Sequence, residues 1–220
     1  MTHPSSHSFA DMSRSLAQEL QTHLAFSKTF QNTVSLETPL SEKDTFGPSD
    51  IPTFIVDKEV AVLFFFYLKH QTKFCFNFFT DLCVVDYPTE SSRFEVVYHV
   101  GGISPTDNFY RRLRVKILLR ENEIADSVIS VFPGASWFEC EAWDMYGVFF
   151  QGNPELRRLL TDYGFEGYPL RKDFPLTGYT EVRFDEKTKR VVSEPVELAQ
   201  EFREFSQVSS PWRKEVAKRS

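Results

Sequence analysis

The chain has no CxxC pair, no HExxH or HxH spacing, no GxSxG and no glycine-rich phosphate loop. Those absences remove most of the short motifs through which a single polypeptide carries out chemistry. Its three cysteines, Cys75, Cys83 and Cys140, stand far apart. An iron–sulfur cluster ordinarily takes four thiolates, so cysteine alone cannot ligate one here. Free, buried thiols in a reducing compartment are the expectation. His3, His7, His23, His70 and His99 are scattered, which leaves no zinc site legible. The longest apolar run, VAVLFFFYL, stops at nine residues, about half of what a membrane span takes. The start, MTHPSSHSFADMSRSLAQEL, contains Asp11, Glu19 and a single arginine, unlike a secretory or transit peptide. A soluble protein is expected. Positive charge is short too. The net charge is -6, and the basic pairs Arg157-Arg158 and Arg171-Lys172 are too sparse for a nucleic-acid groove.

What the chain has in excess is phenylalanine, 23 residues against 3 Met and 3 Trp. Because Phe codons are T-rich, the excess suggests an AT-rich, organellar gene. Patterning then divides the chain in three. Residues 1–50 read as a weakly structured extension, with a short amphipathic helix around Leu16, Leu20 and Leu24. Residues 51–166 read as an α+β domain, a mainly antiparallel mixed sheet with helices packed on one side. TFIV opens it as a strand, and Asp57 is a suitable N-cap for KEVAVLFFFYLKH. FCFNFF, LCVVDY, RFEVVYHV, RLRVKILL and SVISVF read as further strands. In RFEVVYHV the inward set is Phe94, Val96, Tyr98 and Val100. In RLRVKILL it is Leu113, Val115, Ile117 and Leu119, with Glu95 set to pair across strands with Arg114 or Lys116.

Two helices should follow. Ser136 to Glu139 has the form of a capping box for WFECEAWDMY, which Gly147 would end as a left-handed residue. Asn153 and Pro154 then look like the cap and first residue of a helix through PELRRLL, closed by Gly164. The acidic cluster Glu139, Glu141 and Asp144 has no histidine near it in sequence, so ion pairing to a basic partner is a better reading than metal or acid–base chemistry. Cys140, inside a helix, reads as packed and not reactive.

Residues 167–220 read as a long, extended C-terminal arm. Pro169, Pro175, Pro195 and Pro211 interrupt it, and only PVELAQEFREF has helical character. Disordered segments are depleted in aromatics, yet this one carries Tyr168, Phe174, Tyr179 and Phe184. An arm that takes its order from another protein reconciles the two observations.

The stretch FECEAWDMYGVFFQGNPELRRLLTDYGFEGYPLRKDFPLTGYTEVRFD, residues 138–185, resembles the signature of the 30 kDa peripheral-arm family of respiratory NADH:ubiquinone oxidoreductase, complex I, whose members are designated C or 9. The likeness runs upstream through SVFPGASWFE, RFEVVYHV and TDLCVVDYP, and downstream through VVSEPVEL to SPW, covering roughly residues 50–212. Two positions depart from the family pattern: Cys140 stands where an arginine is expected between two acids, and Asn153 where a histidine or lysine is. The resemblance implies a core accessory subunit of the peripheral arm, part of an enzyme but without a redox centre or catalytic residues of its own. FMN, iron–sulfur clusters and ubiquinone would then belong to partner chains. The implied partners are the large hydrogenase-like quinone-site subunit, the terminal iron–sulfur subunit and the ferredoxin-like subunit. By matched motif, Glu139, Glu141, Asp144, Arg157, Arg158, Arg171, Lys172, Asp173, Phe174 and Tyr179 are the implied contact residues. The implied location is the matrix side of the mitochondrial inner membrane, or alternatively the cytoplasmic face of a bacterial one. Alternatives are the equivalent subunit of a plastid-type, ferredoxin-dependent complex or membrane-bound hydrogenase, and a stand-alone hydrolase using Glu141 and Asp144.

Overall fold

The computed structural model describes residues 16–22, 24, 30, 33–37, 51–103 and 110–203. The chain divides into two compact units, Met1–Phe174 and Pro175–Ser220. The first is built on a five-stranded mixed sheet in the order β1-β2-β5-β4-β3. Its strands are β1 (Val34–Glu37), β2 (Thr53–Val56), β3 (Phe78–Asp86), β4 (Phe94–Ile103) and β5 (Tyr110–Leu119). Only β2 against β5 is parallel, and the remaining pairs are antiparallel. Helix α1 (Ala61–His70) follows β2 through a 3-10 turn, and α2 (Ala135–Tyr146) follows the short strand β6 (Ile124–Asp126). Strand β7 (Phe149–Gln151) returns to pair in parallel with β6.

Period-two alternation sets the sheet's faces. Phe94, Val96, Tyr98 and Val100 face inward, as do Leu113, Val115, Ile117 and Leu119. Against them α1 lays Phe64, Phe65 and Leu68, and Phe65 lies 5.0 Å from Tyr98, centroid to centroid. From α2, Phe138 reaches Phe79 at 5.6 Å on the same side. Each fully buried Phe contributes about 1.5–3 kcal/mol over leaving it in water, so part of the phenylalanine content, including Phe54, Phe64, Phe65, Phe94 and Phe150, is core packing. On the outward face Lys116 meets Glu95 at 3.1 Å, the cross-strand pair the alternation predicts.

Several local expectations fail, each for an identifiable reason. Residues 16–22 are helical as expected, but the first fifty residues are not merely an extension. Leu16, Leu20, Leu24 and Phe30 enter the main core, and β1 extends the sheet. Asp57 stands at the N-cap position of the 3-10 turn without a side-chain capping bond. FCFNFF is strand only in its last two residues, Phe78 and Phe79, which open β3. Phe74 and Cys75 donate their amides to the Gln71 carbonyl, Cys75 takes φ 49°, and the tight turn drops Phe74 and Phe76 into the core. Of the three free cysteines only Cys140 is buried, because Cys83 falls on the outward register of β3.

The second unit contains a hairpin of β8 (Thr180–Asp185) and β9 (Arg190–Pro195), with Arg183 gripping Glu194 through two hydrogen bonds of 2.6 and 2.7 Å. Within the expected arm, residues 180–195 therefore pair locally as two extended strands. The division into units also falls after Phe174 instead of after residue 166. Expectations for residues 204–220 lie outside the described residues.

Candidate interaction site

Three buried carboxylates organise residues 121–174, and each displaces a structure that local propensity favours. Glu139, in the first half of α2, is completely buried. Its oxygens accept from Ser127 Oγ at 2.7 Å, the Val128 amide at 2.8 Å and Asn153 Nδ2 at 3.0 Å. It is therefore not the back half of a capping box. Helix α2 starts two residues earlier, at Ala135 after Gly134, and no side chain caps it. Because Glu139 consumes the Val128 amide, SVISVF turns where a strand was expected, with Phe132 closing back to the Val128 carbonyl at 2.8 Å. Burial pushes the Glu139 pKa up, against the hydrogen bonds from Ser127, Val128 and Asn153.

A folded-state pKa raised in this way favours the native state below the unfolded value near 4.3 and loses that benefit as pH climbs through the raised value. The prediction follows for Glu139→Gln, which cannot titrate. Relative to the variant, wild-type stability should improve as pH is lowered from 7 to 5. Glu139→Ala should cost about 3 kcal/mol at pH 7, from orphaned donors and a cavity. Urea denaturation at both pH values checks each. An unchanged difference between wild type and Glu139→Gln would show that the carboxylate is not strained by burial.

Asp144 lies one turn and a half further along α2 and is equally hidden. Oδ2 accepts the amides of Leu159, Leu160 and Thr161 at 3.0, 2.7 and 2.9 Å. Oδ1 accepts Thr161 Oγ1 at 2.6 Å and Arg158 at 3.1 Å. Burial alone would raise its pKa, but the Thr161 hydroxyl and amide, with the Leu160 and Leu159 amides, hold it below the usual range. This cradle explains the missing helix at PELRRLL. Three consecutive amides that a helix would direct at carbonyls four residues back converge on one carboxylate instead. Asn153 is likewise diverted, bonding Glu139 while its Oδ1 accepts the Glu155 amide at 3.0 Å.

The third carboxylate is Asp86, at the end of β3. Arg93 reaches its Oδ1 at 2.9 Å and its Oδ2 at 3.3 Å, and also bonds Glu121 at 2.9 Å and Asp173 at 2.8 Å. The Lys172 amide donates to Asp86 Oδ2 at 2.9 Å, and Arg171 donates to the Tyr146 carbonyl at 2.6 Å. The Arg171 guanidinium also stacks 4.5 Å from the Tyr168 ring and 5.1 Å from Phe94, a contribution of about 0.5–2 kcal/mol per contact. Burial opposes ionisation of Asp86, yet Arg93, the Lys172 amide and Arg171 prevail and lower its pKa, while Asp86 and then Asp173 raise that of Arg93. Gly147 makes room for the arrangement. Its φ of 76° ends α2 in the left-handed region, and a Cβ there would sit 2.6 Å from the Tyr168 ring and 2.7 Å from Arg171. The result is that residues 168–174, the expected root of the arm, are fastened to the first unit.

The implied contact residues thus separate. Glu139 and Asp144 face inward and are structural. Arg158 serves Asp144, while its guanidinium stacks over Tyr168 at 5.2 Å. Arg171 and Asp173 belong to the Arg93 cluster, and Phe174 packs 6.0 Å from Phe165. Exposed are Glu141, Arg157, Lys172, Asp173 and, in the second unit, Tyr179. Arg157 meets Glu155 at 3.4 Å. A hydrolytic pair of Glu141 and Asp144 is ruled out, since one is exposed and the other sealed by five donors. Sequence reading misses Arg93, Asp86 and Glu121, whose contacts with residues 171–173 span 50 to 86 positions and leave no local signal. Cys140 offers its thiol to the Glu155 carbonyl at 3.2 Å, so a neutral donor occupies the place expected for arginine. Among the described residues no three His, Cys, Asp or Glu side chains gather as a metal-ion group, and no helix is long and apolar enough to cross a membrane.

Comparison with known proteins sets this geometry in a family. The model of the respiratory-chain NADH dehydrogenase 30 Kd subunit matches residues 54–180. From Sinorhizobium medicae, the NADH-quinone oxidoreductase chain designated C is 55% identical over 160 residues, 73% of this chain and 77% of its own. Its counterpart designated C 1 in Rhizobium meliloti is 58% identical over 153 residues, 70% of this chain and 73% of its own. These relatives are bacterial, so the mitochondrial origin drawn from phenylalanine usage has no support. Among solved structures, a chain of the membrane-bound sulfane sulfur reductase, an archaeal respiratory membrane complex, superposes with a TM-score of 0.56. It is 21% identical and covers 80% of this chain and 99% of that one, a likeness of fold alone.

Proposed function

The chain belongs to the respiratory-chain NADH dehydrogenase 30 Kd subunit family, and from that premise we propose that it is a scaffold subunit of an NADH-quinone oxidoreductase. In this reading it carries no redox centre. It holds the quinone-reducing subunit and the iron–sulfur subunits in register, and FMN, the clusters and quinone reside on those partners. Electron tunnelling falls steeply with distance, so fixed geometry between neighbours is a contribution to rate in itself. The location that fits bacterial relatives is the cytoplasmic face of the membrane, on the peripheral arm. Identities of 55 and 58% to quinone-linked relatives favour this over a ferredoxin-dependent complex or a hydrogenase.

The observation that carries the proposal is how the charged side chains of residues 139–173 are used. Most hold the chain's own shape, an arrangement suited to rigidity. The second unit supports the same reading. Its hairpin exposes Val182, Phe184 and Val191, and before it Leu176 is 90% exposed. A two-stranded hairpin with bare apolar side chains is marginal in water, and a partner surface that covers them completes it. Glu141, Arg157, Lys172 and Tyr179 remain the proposed contact residues from the family motif.

Deletion of residues 175–220 is the test, cut after Phe174 because residues 168–174 are held by Arg93 and Asp86. The truncated chain should melt within a few degrees of the full chain, since it loses no part of the main core. Assembled oxidoreductase on native gels, and NADH-quinone activity in membranes, should fall at least tenfold. Normal assembly of the truncated chain would remove the scaffold role of the arm.

A further inference from the structure

We infer that the turn at residues 160–163 is a preformed docking knob, with Tyr163 and Leu160 inserting into an apolar pocket rimmed by Lys or Arg side chains on a neighbouring subunit. The inference deepens the proposed scaffold function and rests on it. Tyr163 is 104% exposed and Leu160 62%. Tyr163 is left fully exposed and Leu160 mostly so, although large apolar residues normally gain by packing. Their position is not loose. Phe165 donates to the Asp162 carbonyl at 3.1 Å, Asp162 Oδ1 accepts the Tyr163 amide at 2.8 Å, and Gly164 supplies the left-handed residue at φ 72°. Just before the turn, the Leu159, Leu160 and Thr161 amides are locked to Asp144. Just after it, Phe165 lies 6.0 Å from the Arg158 guanidinium.

A rigid aromatic on a fixed turn loses little entropy on docking, with only two side-chain torsions to order. Tyrosine is among the residues that dominate interface energetics when seated in a pocket. The charge beside the knob chooses the rim. From residue 159 to 170 the only formal charges are Asp162 and Glu166, both acidic and both exposed. The nearest exposed base, Arg157, is occupied by Glu155. A cationic rim complements that pattern, and an acidic one is repelled.

The test uses the full chain expressed in cells that make the whole oxidoreductase. Leu160→Ser combined with Tyr163→Ser should enter the complex at least tenfold less than wild type on native gels, with an unchanged melting temperature for the isolated chain. Tyr163→Phe should enter within twofold. Glu166→Lys should enter several-fold less, and salt should restore part of the loss. A photoreactive benzoyl-phenylalanine at position 163 should cross-link to a peptide of another subunit that contains apolar and basic residues. Normal entry of the double variant, or cross-links confined to this chain, overturns the knob while leaving the scaffold reading standing. Failure of the wild-type chain to enter the oxidoreductase overturns the scaffold reading and this inference with it.

Discussion

Replacing Asp144 with alanine is expected to lower the stability of the first unit by about 3–5 kcal/mol, the cost typical of removing one partner from a buried, charged network. The carboxylate has no exposed surface and takes five hydrogen bonds, three of them from consecutive amides. Alanine leaves those amides and the Thr161 hydroxyl without an acceptor, while Arg158, which is partly exposed, can turn to water. Asparagine is the sharper probe. With its oxygen at the Oδ2 position it keeps the three amides, but its NH2 then faces Arg158, so about 2 kcal/mol should be lost. The sign with pH is fixed by the depressed pKa. A group of this kind stabilises the fold above its unfolded pKa near 4 and loses that contribution as pH falls through the folded value. The gap between wild type and Asp144→Asn should therefore be widest at neutral pH and close as pH drops below about 4. Hydrogen exchange at Leu159, Leu160 and Thr161 should quicken in both variants. A loss under about 1 kcal/mol for Asp144→Ala would show that the loop is held by something else.

That carboxylate also explains how much is readable from sequence. Strands β2, β4 and β5, helix α1, and the end of α2 at Gly147 follow from period, propensity and backbone chemistry within a few residues of each other. Where reading fails, the winning interaction comes from afar. PELRRLL has a good helix start, yet its following amides bond a carboxylate 15 to 17 positions upstream. SVISVF has strand composition, but Glu139 takes its ladder amide. The acidic cluster is visible in sequence, but not the direction of each member. Helical spacing turns Glu139 and Asp144 inward and leaves Glu141 outside, and only packing against the loops at 127–128 and 159–161 decides which face is which. The apolar residues of the tail are legible in composition as many for a free segment. What composition does not distinguish is residues 168–174, held by Arg93 and Asp86, from the hairpin that follows in the second unit.

Arg93→Ala should be comparably damaging, at about 3–4 kcal/mol, and its damage should be localised. Asp86 is the reason. Its side chain is 1% exposed, and without Arg93 it keeps the Lys172 amide and the nearby charge of Arg171 but loses its hydrogen-bonded counter-ion. Asp173 and Glu121 lie at the surface and can be solvated, so most of the loss belongs to Asp86. Lysine at position 93 restores a positive charge but not a planar fork that reaches three carboxylates at once, and should recover about half the loss. Changing both partners, Arg93→Met with Asp86→Leu, should bring stability back to within about 1 kcal/mol of wild type, because no orphaned charge remains. The double change does not repair the root of the arm, since Asp173 and the Lys172 amide still lack their partners. Limited proteolysis should therefore cut within residues 168–174 in Arg93→Ala and in the double variant, but not in wild type. Stability and arm attachment would then be separated in one set of proteins. If the double variant is as unstable as Arg93→Ala, the buried charge is not the cause. If residues 168–174 stay protected throughout, the stacking of Arg171 on Phe94 and Tyr168 holds the arm without help from Arg93.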